Sequence, residues 1–309
     1  MNRQTSRQAV VRVPGGPESI EVVDAPLPEP GPGQLRVKVA AAAVNPVDLD
    51  VANGRFHELG LVSRPGHVGL GWDFSGTVDA AGDDGGDDAG PAVGTRVAGF
   101  VAGVDRGHGS HADHLVVDAS DVAVVPDGLC SNVAASVPLG LTAAAQLLEV
   151  VGAVPPEGCR LLVTGAAGVV GAFVAALARD EGWEVTGLAR ATDEAFVRGL
   201  GVGFTTAPER GWDVVVDAAA MQDEALSLVA DGGTFVGVRP GLEPRAERGV
   251  EVASVASRPD GPLLARLLAR VVEGALPARI HAAMPFTEVV GAYRLQAKGG
   301  VRGRVVVLP

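Results

Sequence analysis

Several things are scarce in this 309-residue chain, and each scarcity excludes something. Two cysteines, Cys130 and Cys159, are too few for a disulfide framework or a cysteine-rich zinc lobe. Lysine occurs only twice, and the net charge is −12, so no basic stripe exists to neutralise a nucleic-acid backbone. Aromatic residues make up 4% of the chain, so any core must rest on Ala, Val and Leu, which suits an α/β protein. The amino terminus, MNRQTSRQAV, lacks the apolar centre of a signal peptide. Uncharged runs occur at 128–148 and 161–178, but Asn132, Pro138 and Gly140 interrupt the first and a glycine turn the second. Neither run spans a membrane, and the expected location is cytoplasmic. The length allows two domains with substantial cores.

What is present is a strand–turn–helix–strand unit over 158–190, GCRLLVTGAAGVVGAFVAALARDEGWEVTGLAR. The apolar run 161–163 reads as a buried parallel strand. A turn follows, Gly165-Ala166-Ala167-Gly168-Val169-Val170-Gly171, and then a helix over about 169–180 that Gly182 stops. Gly168 lets a backbone approach a diphosphate and Gly171 lets the helix pack on the strand. The helix start adds unpaired N–H groups and the positive end of its dipole. The pattern is A-x-G-x-x-G, with Ala166 where the first glycine usually stands and an extra Gly165 before it. A dinucleotide is the ligand this unit predicts; a purely structural turn is the bland alternative.

After the second strand, an NAD site usually carries an acid for the ribose 2′-OH. This chain has Ala189-Arg190-Ala191-Thr192 and no acid until Asp193. Arg190 can pair bidentately with a 2′-phosphate and Thr192 can donate to it, which predicts NADPH. The competing reading makes Arg190 a solvated loop residue.

Along the chain, residues 1–8 read as frayed, 9–13 and 19–24 as strands, and 34–44 as a strand passing from half-buried to buried. Asn45-Pro46-Val47-Asp48 breaks that strand, and 49–53 can form a helical turn. Strands are expected at 93–101 and 112–117. The acidic run 82–89, with four aspartates, reads as a solvated hairpin tip and lacks EF-hand spacing. His108, His111 and His114 invite a zinc reading, but steps of three alternate faces on a strand. Helices follow at 131–137 and 141–151. Then come a helix at 193–200, a strand at 202–205, a strand at 212–218, a helix at 224–229, strands at 233–238 and 250–256, and a helix at 263–273. This βαβ alternation over 122–274 is a doubly wound sheet. Segment 278–282, a helix at 286–297 and a strand at 304–308 look like a return to the first, mostly β domain.

The ordered set AAAVNPVDLDVANG (41–54), GWDFSGTV (71–78), VGTRVAGF (93–100), VPDGL (125–129), VPLGLTAAAQLL (137–148), the glycine turn, WDVVVDA (212–218) and VRGRVVVL (301–308) resembles the medium-chain dehydrogenase/reductase superfamily, in its zinc-independent quinone oxidoreductase-like branch. The resemblance covers nearly the whole chain. It implies a GroES-like substrate domain from 1–121 and 277–309 and a Rossmann-type NADPH-binding domain over 122–276. It puts Asn45 and Thr142 beside the nicotinamide, a turn-forming Asn before Pro46 and a helix N-terminal Thr being the competing structural readings, and among the catalytic candidates Asp48 is read as a hydrogen-bonding anchor for the Asn45 turn rather than an acid catalyst. Gly165, Ala166, Gly168, Val169, Val170, Gly171, Arg190, Thr192, Ala218 and Val238 then hold the nucleotide. In zinc-dependent members a cysteine ligand lies where this chain has Asn45, and a His-Glu pair where it has Trp72-Asp73; His67 is read as a decoy, and no metal is expected.

The tyrosine that some relatives carry after Asn-x-x-Asp is absent, the positions being Asp50 and Val51. The one tyrosine, Tyr293, falls in the C-terminal helix, so the proton source is open. The implied activity is hydride transfer to a quinone or α,β-unsaturated carbonyl. Rival readings are a pathway-specific enoyl or ketone reductase of secondary metabolism, and an NADPH-binding structural or sensing protein with little turnover. A homodimer joined through the edge strands 233–238 and 250–256 is expected.

Overall fold

The structure, a computed structural model, describes residues 4–82, 90–155 and 159–309. The expected hairpin tip at 82–89 lies outside them from residue 83 onward. In chain order the strands are β1 (Thr5–Val11), β2 (Ile20–Pro26), β3 (Gln34–Val44), β4 (Val68–Gly69), β5 (Asp73–Ala81), β6 (Arg96–Phe100), β7 (His114–Asp118), β8 (Val122–Val124), β9 (Arg160–Thr164), β10 (Glu184–Leu188), β11 (Gly203–Thr205), β12 (Trp212–Asp217), β13 (Val229–Gly237), β14 (Glu251–Ser254), β15 (Ile280–Pro285) and β16 (Arg304–Leu308).

They divide between two compact units, one of Met1–Leu139, Pro259–Val272 and Ala278–Pro309, the other of Gly140–Arg258 and Glu273–Pro277. The first unit has a seven-stranded sheet running β15-β16-β3-β5-β6-β8, with β7 also on β3, and a small sheet β2-β1-β4. All its pairings are antiparallel except β15 with β16. β3 is its axis, because Gln34–Val44 pairs with β16, β5 and β7 along its length. One core cluster joins Val11, Val44 and Leu70 to Phe286, Tyr293 and Val307, so the two ends of the chain share a single apolar interior. This is a GroES-like arrangement of short strands.

The second unit holds one six-stranded sheet, β11-β10-β9-β12-β13-β14, parallel throughout. Counted from β9, the order is 3-2-1-4-5-6, the dinucleotide-binding order, whose switch point lies between β9 and β12. Leu161, Leu162 and Val163 have no exposed surface, as a strand covered on both faces requires. The fold is therefore α/β, Rossmann-type, joined to a GroES-like unit.

Local departures from the expected elements have physical reasons. Residues 5–8 belong to β1, because the strand pairs with β2 from Thr5↔Pro26 onward. The turn expected at 49–53 is a helix from Pro46 to Ala52, since proline at the first helical position fits a fixed φ and lacks only a hydrogen bond that is spare there. For the same reason the helix expected from 141 begins at Pro138 and runs to Val151. The strand expected at 233–238 starts at Val229 and lies inside the sheet between β12 and β14, so it offers no edge; β14 alone is an edge on that side.

Candidate functional site

In the Rossmann-type unit, every expected nucleotide residue falls at or just past the carboxyl ends of β9, β10, β12 and β13, where ligands bind in open parallel sheets. β9 ends at Thr164 and the chain turns at Gly165, whose φ of 62° is left-handed. Gly168 caps the helix Val169–Glu181 without any side-chain hydrogen bond, so the amides of its first turn have no capping partner. Gly171 is dictated by packing: a Cβ there would sit 2.3 Å from the Gly165 carbonyl oxygen and 2.7 Å from its carbon. Ala166, in place of the usual glycine, is accommodated by Gly187 on β10, where a Cβ would come within 2.6 Å of the Ala166 methyl.

The floor of the switch point is fastened by a buried pair. Thr164 Oγ1 donates to Asp217 Oδ1 at 2.5 Å and accepts from the Ala219 amide at 3.1 Å, while Asp217 Oδ2 accepts from the Gln222 amide at 2.8 Å. Ala218 follows at the end of β12 and Val238 at the end of β13, both half-buried. Arg190 and Thr192 are exposed one step past β10, and the Arg190 guanidinium has no ion pair or hydrogen bond among the described residues. An open helix N-terminus with a spare guanidinium beyond the second strand fits a phosphorylated dinucleotide. Thr142 belongs to this unit too, on the helix Pro138–Val151, and its buried hydroxyl has no partner among the described residues.

In the GroES-like unit, Asn45 and Asp48 sit in a buried polar knot. The Asp48 carboxylate reaches back to the Asn45 amide at 2.8 Å, as a capping residue does, and accepts from the Gly71 amide at 3.0 Å. Gly71 has φ 94°, and a Cβ there would meet the His111 nitrogen at 2.4 Å. Burial pushes Asp48 up to about 6, against the opposing pull of its two amide donors and of the Arg106 and Arg304 charges. Arg106 lies 5.1 Å above the Trp72 ring and donates to the Gly71 carbonyl at 2.6 Å.

Sequence reasoning missed the centre of this knot. Asp73, wholly buried at the start of β5, accepts from Asn45 Nδ2 at 2.9 Å and from the Leu139 amide at 2.7 Å. Burial also raises Asp73 to about 6, with Arg304 the strongest opposing influence. Burial lowers the Arg304 guanidinium in turn. The available signals were an aspartate in the apolar stretch GWDFSG and an arginine opening the strand RVVVL.

The histidines do not converge. His111 is buried, with Nε2 3.2 Å from the Ala43 carbonyl and Nδ1 3.0 Å from the Tyr293 hydroxyl, and burial lowers it to about 4. His108 meets Gln8, His114 lies 3.6 Å from Asp79, and His67 reaches the Gly107 carbonyl.

A zinc ion of the dehydrogenase type does not suit this donor set. Both N–H groups of the Asn45 amide face acceptors, Trp72 offers no lone pair, and the two Asp73 oxygens are taken by N–H donors. Among the described residues no three His, Cys, Asp or Glu side chains group around a metal position, and no helix is long and apolar enough to cross a membrane.

Comparison with known proteins agrees with this architecture. Residues 31–127 match the family model of the alcohol dehydrogenase GroES-like domain, and residues 184–307 that of the zinc-binding dehydrogenases. The chain is 27% identical over 291 residues to 2-methylene-furan-3-one reductase of Solanum lycopersicum, covering 89% of this chain and 72% of the relative. It is 28% identical over 301 residues to the chloroplastic NADPH-dependent alkenal/one oxidoreductase of Arabidopsis thaliana, covering 92% and 74%. Among solved structures, the quinone oxidoreductase from Coxiella burnetii shares the fold with a TM-score of 0.86 at 24% identity, covering 99% of this chain and all of that one. With its GroES-like unit, its parallel sheet in dinucleotide-binding order and the two family models it matches, the chain belongs to the medium-chain dehydrogenase/reductase superfamily.

Proposed function

We propose that the protein is a zinc-independent, NADPH-dependent reductase of quinones or α,β-unsaturated carbonyls. The observation that carries this reading is the helix Val169–Glu181, which starts at Gly168 without a side-chain cap at the switch point of a parallel sheet, with Arg190 past the next strand unpaired among the described residues. The names of the tomato and Arabidopsis relatives support the acceptor class, and the latter supports the cofactor.

Bound NADPH supplies a hydride for an electrophilic carbon of the acceptor. The amides of Val169, Val170 and Gly171 take the diphosphate, with Gly165, Ala166 and Gly168 shaping the turn beneath it. Arg190 grips the 2′-phosphate and Thr192 donates to it, while Ala218 and Val238 flank the nucleotide. Asn45 and Thr142 serve the nicotinamide end, and Asp48 holds the backbone of Asn45. Orientation in a site that excludes water supplies most of the acceleration. The proton for the resulting oxyanion comes from solvent, because the chain's one tyrosine is committed to His111. In this reading 1–121 and 277–309 form the substrate domain, 122–276 the cofactor domain, and two copies associate through β14, in the cytoplasm.

The test is NADPH oxidation against a panel of quinones and enones, before and after chelation, with NADH in parallel. Turnover that survives chelation and prefers NADPH is expected. Tight NADPH binding with no turnover on any acceptor would make the protein a nucleotide-binding module, and activity lost on chelation would overturn zinc independence.

A further inference from the structure

Among the described residues, three that are not glycine hold a left-handed φ: Ala220 at 56°, Gln222 at 57° and Arg248 at 54°. All three border one short helix, Asp223–Leu228, in the Rossmann-type unit. Ala220 and Gln222 precede it, and the Arg248 guanidinium holds its far end by donating to the carbonyls of Leu226 and Val229 at 2.9 and 2.8 Å. Gln222 pairs its φ with a ψ of −114°, outside the small left-handed region open to residues with a Cβ. Glycine there would relieve the backbone and keep the Gln222 amide on Asp217 Oδ2. A side chain kept where its backbone favours glycine is kept for what that side chain reaches.

What it reaches is a turn beyond the next strand. Gln222 crosses the carboxyl end of β13, its Oε1 3.9 Å from where a Cβ on Gly237 would stand, and its Nε2 donates to the Leu242 carbonyl at 2.5 Å. The turn, 239–242, is closed by the Leu242 amide on the Arg239 carbonyl at 3.1 Å. Glu243 ties its other side, accepting from the Gly241 amide at 2.9 Å and from Ser254 Oγ at the end of β14. At its root the strained segment rests on the glycine turn. The Ala219 methyl lies 3.0 Å from where a Cβ on Gly165 would stand, and the Ala219 amide donates to Thr164 Oγ1.

We propose that Gln222 is a positioning residue, a strained latch that fixes the 239–242 turn at the carboxyl ends of β12, β13 and β14 before the nucleotide arrives. The claim rests on the functional reading above and assigns the latch to one end of the ligand. A dinucleotide divides between the two halves of such a sheet, across its switch point. With Arg190 past β10 taking the 2′-phosphate, the half made of β12 to β14 receives the nicotinamide nucleoside, and Val238 leads from β13 into the latched turn. Holding that wall in place beforehand spares the ligand the cost of ordering it.

The experiment measures the Kd of NADPH and of adenosine 2′,5′-bisphosphate, which lacks the nicotinamide half, for Gln222→Ala and Gln222→Gly, with urea unfolding in parallel. Both variants are expected to weaken NADPH about fivefold, one hydrogen bond's worth, and to leave the bisphosphate unchanged. Stability should part from affinity. Gln222→Ala keeps the strain and Gln222→Gly relieves it, so the glycine variant should unfold at the higher urea midpoint while binding NADPH no better. Equal weakening of the two ligands, NADPH affinity that follows the urea midpoints, or unchanged NADPH affinity would overturn the proposal. Should Gln222→Ala not fold, the contrast between the two ligands in Gln222→Gly decides. Failure of the unaltered chain to bind NADPH defeats the functional reading itself, whereas normal binding that is insensitive to residue 222 defeats the latch alone.

Discussion

Removing the Asp73 charge has a consequence for stability whose sign depends on pH. Folded, Asp73 titrates at about 6 because burial penalises its charge; unfolded, it titrates near the ordinary 3.8. Between those values the folded chain holds a proton that the unfolded chain has released, so this group's contribution is fully present below 3.8, declines as pH rises, and is gone above 6. Each pKa unit is worth about 1.4 kcal/mol, so the ionised carboxylate costs the fold roughly 3 kcal/mol at pH 7 and only about 1 at pH 4.5. Asp73→Asn does not titrate. The unaltered protein should therefore gain about 2 kcal/mol relative to Asp73→Asn on going from pH 7 to pH 4.5. Asp48, also raised to about 6, and His111, lowered to about 4, titrate in both chains and cancel to first order in the difference. Urea unfolding followed by tryptophan fluorescence, with Trp72 adjoining the site, measures the gap between the two midpoints. At a slope of about 2.5 kcal/mol per molar, the gap should change by about 0.8 M across that range. A gap independent of pH would mean that Asp73 titrates normally, and a gap moving the other way would mean that its hydrogen bonds outweigh its burial. Either result refutes the reasoning.

Gly171→Ala should lower the melting temperature by an amount equivalent to about 1–3 kcal/mol and abolish NADPH binding, since its Cβ falls 2.3 Å from a backbone oxygen. Gly199→Ala, whose Cβ meets nothing within 4 Å, should be neutral or slightly stabilising in the same thermal assay. Arg190→Ala should weaken NADPH at least tenfold and leave NADH unchanged by fluorescence titration; equal effects on both cofactors would count against a 2′-phosphate contact. Tyr293→Phe strips the donor from buried His111 Nδ1 and should cost about 1–3 kcal/mol in urea unfolding with kcat intact, whereas a collapse of kcat would reveal a proton donor. Arg304→Met leaves buried Asp73 without its countercharge, while Asp48 keeps Arg106, and should destabilise the fold by about 3–5 kcal/mol at pH 7, less so at pH 5, by the same urea method.

The glycine turn was legible because everything that defines it is local: an apolar strand, a left-handed Gly165, and a helix whose Gly171 faces the strand end within seven residues. The role of Gly187 in admitting Ala166 was not, because the contact crosses from one parallel strand to the next. The start of β13 was hidden for a related reason. Val229 continues the apolar pattern of the helix Asp223–Leu228 without a break, and only pairing with Trp212 makes it a strand residue. Asp73 and Arg304 each read as a polar residue at a strand end. The register that sets β5 and β16 on either side of β3 brings them within electrostatic reach, and no spacing of 231 residues announces that.

Two ionised carboxylates in an apolar interior are difficult to justify as stabilisers. Apolar replacements of buried charges are often neutral or better, because the desolvation of each ion consumes most of what its partners return. What the two acids share is their object. Asp48 holds the Asn45 backbone amide and Asp73 holds its side-chain amide, and each spends its second oxygen on a backbone N–H that anchors it, Gly71 for one and Leu139 for the other. Arg106 and Arg304 bring the buried charge of the knot back to zero. A fold that needed only a helix cap after β3 would be served by a single acid at Asp48. The second acid adds nothing to that cap; it fixes the one rotation left to Asn45, the flip of its amide.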